Sequence, residues 1–403
     1  MKKILIILAA VVLLVVAGVL YVIYSPAAPR RLVPVQSTTY QPDAAQDVAT
    51  YPLLPDTTIR NVILFIGDGM GINQITVART MLFGPNGRLH LERLPVTGLV
   101  STHTIDELVT KSDAGATALA SGVKTRNGMI GMTPDSVKML TIMEAARDRG
   151  LSTGLVTSTI ITDATPAAFA AHVPKRDHHE NIAVQLLDNR IDVLLAGYKG
   201  YFIPKSQEGS ARTDELDLIA RAKSEGYAFV ETKEELVAAE NSRLLGLFKP
   251  DVYFTEKAEP SLVELTEKAI KALNRNPHGF FLMVEQENID EGSHENELRY
   301  MVGQLKLFDD AVKVGIDFAL QDKQTLVLVL ADHETGGLQM DGGRINDNAI
   351  RVAWTTTSHT GQPISIFAFG PQALRFTGLK DNTDIPKILA GLLSVDSFPR
   401  RID

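Results

Sequence analysis

From Asn61 onward the chain alternates short apolar runs with amphipathic stretches. The runs Val62–Ile66, Leu155–Thr157, Val193–Ala196, Phe280–Val284, Leu326–Leu330 and Ile364–Phe369 are about strand length and nearly continuous in apolar residues. A run without alternation needs cover on both faces, as parallel strands between two helical layers have. Between the runs lie the helical segments Met139–Arg149, Leu216–Glu225, Leu262–Asn274 and Leu298–Leu320. The alternation predicts an α/β fold, a three-layer α/β/α sandwich about a central, mostly parallel sheet. The more polar stretch 200–260 is expected to add a helix–strand unit at one sheet edge.

Ahead of this body, Lys2 and Lys3 precede an uncharged apolar stretch from Ile4 to Tyr24, long enough as a helix to cross a bilayer. A cleaved signal has a shorter apolar region, so residues 1–24 are expected to be an uncleaved signal anchor. The membrane would then be a partner, with the body outside the cytoplasm, periplasmic or extracellular. Cleavage would give a secreted protein instead. Residues 25–58, rich in Pro, Thr, Ala and Gln, read as a tether, and 59–403 as the folded domain.

Composition narrows the chemistry. Forty Lys and Arg against 48 Asp and Glu leave a net charge of −8. With no basic face and no aromatic platform, nucleic acid is not an expected partner. An anionic substrate stays open, because bound cations would reverse the local field. There is no cysteine among the 403 residues. Any zinc must therefore be held by nitrogen and oxygen, which suits catalytic sites.

Such ligands recur at the ends of apolar runs. Asp68, Glu285, Asp332 and His333 each lie near the carboxyl end of a run, the edge where open α/β sheets bind ligands. One acid after a strand is usually a helix cap; several on one edge are harder to explain so. Asp290 and His294 are four apart and would share one face of a helix. His359 gains weight only from that company. Ser112 precedes the small-residue stretch Ala114–Ser121, where it either caps a helix or acts as a nucleophile.

The fragments IGDGMG, KSDAGATALASGVKTRNG, DATPAAFAAHV, VEQENIDEGSH, ADHETGG and SHTGQP resemble, in order and spacing, the alkaline phosphatase family, over about Asn61 to Pro371. The resemblance implies hydrolysis of small-molecule phosphate monoesters through a phosphoserine, with two zinc ions and one magnesium. It makes Ser112 the nucleophile. It places Asp290, His294 and His359 around the first zinc, and Asp68, Asp332, His333 and the Ser112 oxygen around the second. It gives Asp68, Thr165 and Glu285 to magnesium, with Asp163 on a magnesium-bound water, and makes Arg176 the phosphate clamp. Dimers are common among relatives, so a homodimer is an implied assembly that no residue here specifies. Lys111-Ser112-Asp113 departs from relatives that carry an acid before the serine; either Asp113 orients Arg176 in its place or Arg176 is freer, while Lys111 adds positive potential or points to solvent. A phosphodiesterase or sulfatase-like hydrolase of the same broad superfamily is the rival reading; diesterases of this type usually have a threonine nucleophile and lack the magnesium ligands. A phosphate-binding protein with a decayed site is a second.

Overall fold

The structure, a computed structural model, describes residues 35–40, 48–249 and 259–402. Ten strands form the main sheet, in the spatial order Gly378–Asp381, Val96–Ser101, Ile364–Phe369, Thr325–Leu330, Asn61–Gly67, Phe280–Gln286, Ser152–Ile160, Val193–Gly197, Leu244–Phe248 and Ala228–Val230. Every neighbouring pair is parallel except the two made by Ile364–Phe369, which runs against both its neighbours. The sandwich is the expected one.

The central strands are buried throughout, which explains their uninterrupted apolar sequence. One face is covered by the long helix Leu298–Asp322, whose Met301, Leu305, Phe308, Val312, Ile316 and Ala319 form a buried stripe at helical spacing. Phe308 meets Phe65 edge-on, with ring centroids 6.2 Å apart. Helix Ala164–Ala170 is also buried, and its Phe169 packs against Phe281 of the sheet. Helix starts are chemically marked. Thr141 and Ser261 each form a capping box with the glutamate three residues on, Glu144 and Glu264. The polar stretch after residue 200 contributes two helix–strand units: Leu218–Ser224 with Ala228–Val230, and Lys233–Ala238 with Leu244–Phe248. Their strands close one edge of the sheet.

Two expectations about the amino-terminal region need correction. The anchor expected over residues 1–24 lies outside the described residues, and no helix among the described residues is long and apolar enough to cross a membrane. The longest of them, Leu298–Asp322, carries Lys306, Asp310, Lys313 and Asp317 and serves as sheet cover. The membrane partner, the signal anchor and the membrane-anchored location are therefore set aside. Within the expected tether, Val35–Thr39 is a strand. It pairs antiparallel with Ala349–Trp354, which pairs in turn with Leu338–Arg344, giving a small three-stranded sheet. The segment VQSTT alternates between exposed and half-buried residues, and its pairing lies more than 300 residues away, so local composition hides it.

Candidate active site

Five adjacent strands of the main sheet supply the site. Asp68 follows Asn61–Gly67, Glu285 lies near the end of Phe280–Gln286, Asp332 and His333 follow Thr325–Leu330, and Asp163 follows Ser152–Ile160. Those four strands present their carboxyl ends. His359 precedes its strand, Ile364–Phe369, and reaches the same edge because that strand is reversed. Asp290 and His294 stand on helix Asn288–His294, just beyond Glu285.

Ser112 is the first residue of helix Ser112–Ser121, with Lys111 extended before it at the cap position. Its hydroxyl does not cap the helix. Ser112 Oγ is buried and lies 3.2 Å from His333 Nε2. The same nitrogen lies 3.3 Å from Asp68 Oδ1 and 3.3 Å from Asp332 Oδ2. Gly69 allows this approach of chains. Its φ is +71°, and a Cβ there would stand 2.6 Å from Asp290 Oδ1.

A second group gathers beside the first. His294 Nε2 lies 3.0 Å from Asp290 Oδ2 and 3.1 Å from His359 Nε2, and His359 Nε2 is 3.8 Å from Asp290 Oδ1. The rings of His333 and His359 stack with centroids 3.7 Å apart. Ligand atoms thus converge in two groups, Asp290–His294–His359 and Asp68–Asp290–His333, with Asp290 common to both.

The histidines are oriented from behind. His294 Nδ1 lies 2.8 Å from Thr357 O, His359 Nδ1 2.9 Å from Thr110 O, and His333 Nδ1 3.3 Å from Thr335 Oγ1. A carbonyl can only accept, so it fixes the N–H on Nδ1 and frees Nε2 to face inward. Meanwhile Asp68 Oδ1, Asp332 Oδ2 and Thr165 Oγ1 are buried without a partner in hydrogen-bonding geometry. Converging imidazole nitrogens and unpartnered buried oxygens fit divalent cations.

Electrostatics agree with that fit. Burial, then the neighbouring carboxylates of Asp332, Asp290 and Glu285, pushes Asp68 well above the usual carboxylate range. Burial pushes Asp332 up to about 7. It pushes Glu285 up to about 8, against the bond donated by Thr157 Oγ1 at 2.5 Å. Asp290 moves the other way: burial is outweighed by its bond to His294 and the nearby imidazoles, which hold it at about 2. That bond raises His294 to about 9, while burial lowers His359 and, more strongly, His333.

Arg176 reaches the site from outside the sheet. Its guanidinium donates to Asp163 Oδ1 at 2.8 Å and to Asp113 Oδ2 at 3.4 Å. Burial works against its charge, but Asp163 and Asp113 more than offset that. Asp113 in turn accepts the Gly128 N–H at 2.6 Å, and the Arg176 N–H donates to Gly128 O. Asp68, Ser112, Asp163, Arg176, Asp290, His294 and His359 line one cavity of about 600 Å³, together with Lys111, Glu107, Glu287 and Glu291. Glu285, Thr165, Asp332 and His333 lie behind them, buried. Three residues outside the expected set are Thr157, Thr335 and Glu287. Thr335 stands in the quoted ADHETGG block, but nothing in the sequence shows what its hydroxyl touches.

A family model described as alkaline phosphatase matches residues 59–350 and 345–395. The chain belongs to the alkaline phosphatase family. Alkaline phosphatase 4 of Bacillus subtilis is 33% identical over 83% of this chain and 89% of that protein. The streptomycin-6-phosphate phosphatase of Streptomyces griseus is 34% identical over 81% and 88%. Among solved structures, the alkaline phosphatase of the Antarctic bacterium TAB5 superimposes with a TM-score of 0.75 at 31% identity, covering 85% of this chain and all of that one. That of Thermus thermophilus gives 0.77 at 26% identity, over 87% and 94%. The chain is thus a hydrolase of a metal-dependent phosphomonoesterase family, and its alkaline phosphatase sandwich carries the metal-binding groups described above.

Proposed function

We propose that the catalytic domain, residues 59–403, converts phosphate monoesters to alcohol and inorganic phosphate through a phosphoserine at Ser112, with two zinc ions and one magnesium. The observation that carries this reading is the inward convergence of three Nε2 atoms, each backed by a partner at Nδ1, on carboxylates beside one serine hydroxyl. Asp290, His294 and His359 would hold one zinc, and Asp68, Asp332 and His333 the other. Asp68, Thr165 and Glu285, all oxygen donors, would hold magnesium, with Asp163 reaching it through water. When bound, such ions supply Lewis-acid stabilisation of attacking and departing oxygens.

The chain's own groups do the rest. Ser112 Oγ attacks phosphorus, the ester P–O bond breaks and the alcohol departs with a proton. Water then cleaves the Oγ–P bond and releases phosphate. The helix amino terminus beneath Ser112 turns its backbone N–H groups toward the anion. The planar guanidinium of Arg176, held by Asp163 and Asp113, offers paired donors to the non-bridging oxygens.

The test is turnover of p-nitrophenyl phosphate against its bis ester by the full chain, with metal analysis before and after chelation. Ser112→Ala should lower monoester turnover by about three orders of magnitude or more with zinc content unchanged. A preference for the diester, or turnover that survives both chelation and Ser112→Ala, would overturn the proposal.

A further inference from the structure

Thr335 occupies the junction of the two metal-binding groups. It is fully buried in the short strand pair Glu334–Thr335 and His359–Thr360, where it stands opposite His359. Its N–H donates to Gly69 O at 3.2 Å, one residue beyond Asp68. Its hydroxyl donates to Asp290 Oδ1 and lies 3.3 Å from His333 Nδ1. One residue therefore touches Asp290, His333, the His359 strand and the chain beside Asp68.

A hydroxyl has one proton, and an ionised carboxylate can only accept. With that proton on the Asp290 side, the oxygen presents a lone pair to His333 Nδ1, which must then carry its own N–H. His333 Nε2 is left unprotonated toward Asp68, Asp332 and Ser112. His294 and His359 receive the same orientation from main-chain carbonyls of Thr357 and Thr110, which no side-chain substitution removes. For His333 the orienting group is a side chain.

We propose that Thr335 is a positioning residue whose single hydroxyl fixes the His333 tautomer and couples it to Asp290, joining the two metal-binding groups. The proposal rests on the metal-dependent reading above. A purely structural role for a β-branched residue in a strand would be served equally by valine, and the experiment turns on that difference. Full-length chains carrying Thr335→Val and Thr335→Ser are stripped by chelation and titrated with Zn²⁺ against a chromophoric competitor. The valine variant should weaken zinc binding by about 10–100-fold, while serine, which keeps the hydroxyl, stays within about threefold of the unsubstituted protein. The stripped proteins should melt within a few degrees of one another, the valine variant lower for the lost bond to Asp290. Zinc binding as tight in the valine variant as in the unsubstituted chain overturns the proposal, and so does a serine variant as weak as valine. Should valine prevent folding, ¹⁵N chemical shifts of histidine in the stripped, unsubstituted protein decide the matter. A protonated Nδ1 at His333 is expected, and an unprotonated one overturns the proposal. Failure of the unsubstituted chain to bind zinc at all would instead sink the metal-dependent reading itself.

Discussion

Arg176 shows how much one side chain here depends on its neighbours. Two carboxylates, Asp163 and Asp113, hold the guanidinium at the cavity wall before any substrate arrives, so little side-chain freedom remains to be lost on binding. Lysine would keep the charge and lose the fork. Arg176→Lys should lower kcat/KM for phosphate monoesters by about 10–100-fold and weaken inhibition by inorganic phosphate in parallel. Steady-state kinetics with phosphate as inhibitor checks both. Of the two outcomes open for Lys111-Ser112-Asp113, the structure has the acid that follows Ser112 in contact with Arg176, and it also accepts from Gly128. Lys111 and Glu291 line the same cavity, and neither side chain forms an ion pair with another described residue.

At the scale of elements, the site depends on two chain segments approaching more closely than side chains normally permit. A Cβ on Gly115, one turn into the Ser112 helix, would stand 2.9 Å from Asp332 O. Gly115→Ala must push that helix away from the strand end bearing Asp332 and His333. We expect kcat to fall about tenfold or more, while alanine's better helix propensity, worth about 1 kcal/mol, limits the loss of stability; paired kinetics and urea unfolding test this. Far from the site, Asp309 of the long helix accepts the N–H groups of His90 and Leu91 at 2.8 and 2.9 Å, and burial lifts its carboxyl to about 7. Its folded value lies above its unfolded one. Its contribution is therefore complete below about pH 4 and is lost as pH rises toward 7. Urea midpoints of the metal-loaded protein should fall across that window, and Asp309→Asn should flatten the slope, weakening the fold by about 1–3 kcal/mol at acid pH and by less as pH rises through 7.

The elements legible in the sequence were those whose burial is complete, such as Leu326–Leu330 and Phe280–Val284, or whose stripe is long, such as Leu298–Leu320. Val96–Ser101 alternates buried and exposed residues near the sheet's edge and contains a glycine, so no apolar run marked it. The reversed direction of Ile364–Phe369 was equally hidden, since a buried run reads the same either way. For the site, ligand types and spacing were legible, whereas the bonds from Thr335 and Thr157 depend on folded proximity alone.

For the whole molecule, the metal-binding centre is also a store of like charge. Asp68, Glu285 and Asp332 all have raised folded values, with Glu285 near 8 and Asp332 near 7. In chelated protein their contribution is present below about pH 4 and is lost as pH rises through 7 to 8. Bound cations would keep the same groups ionised and paired. The melting-temperature gap between loaded and chelated protein should therefore widen from pH 6 to pH 9 by a few degrees, at roughly 1–2 °C per kcal/mol for a chain of this length; calorimetry with and without chelator measures it. The reversed strand adds a consequence in time. Ile364–Phe369 must slot between Val96–Ser101 and Thr325–Leu330, partners separated from it by very different lengths of chain. A chain made only as far as the Asp332–His333 doublet already contains Ser112, Asp68, Glu285 and Asp290 but not His359. Pairing across such unequal chain separations makes the seating of His359 beside the other ligands a late, long-range contact in folding.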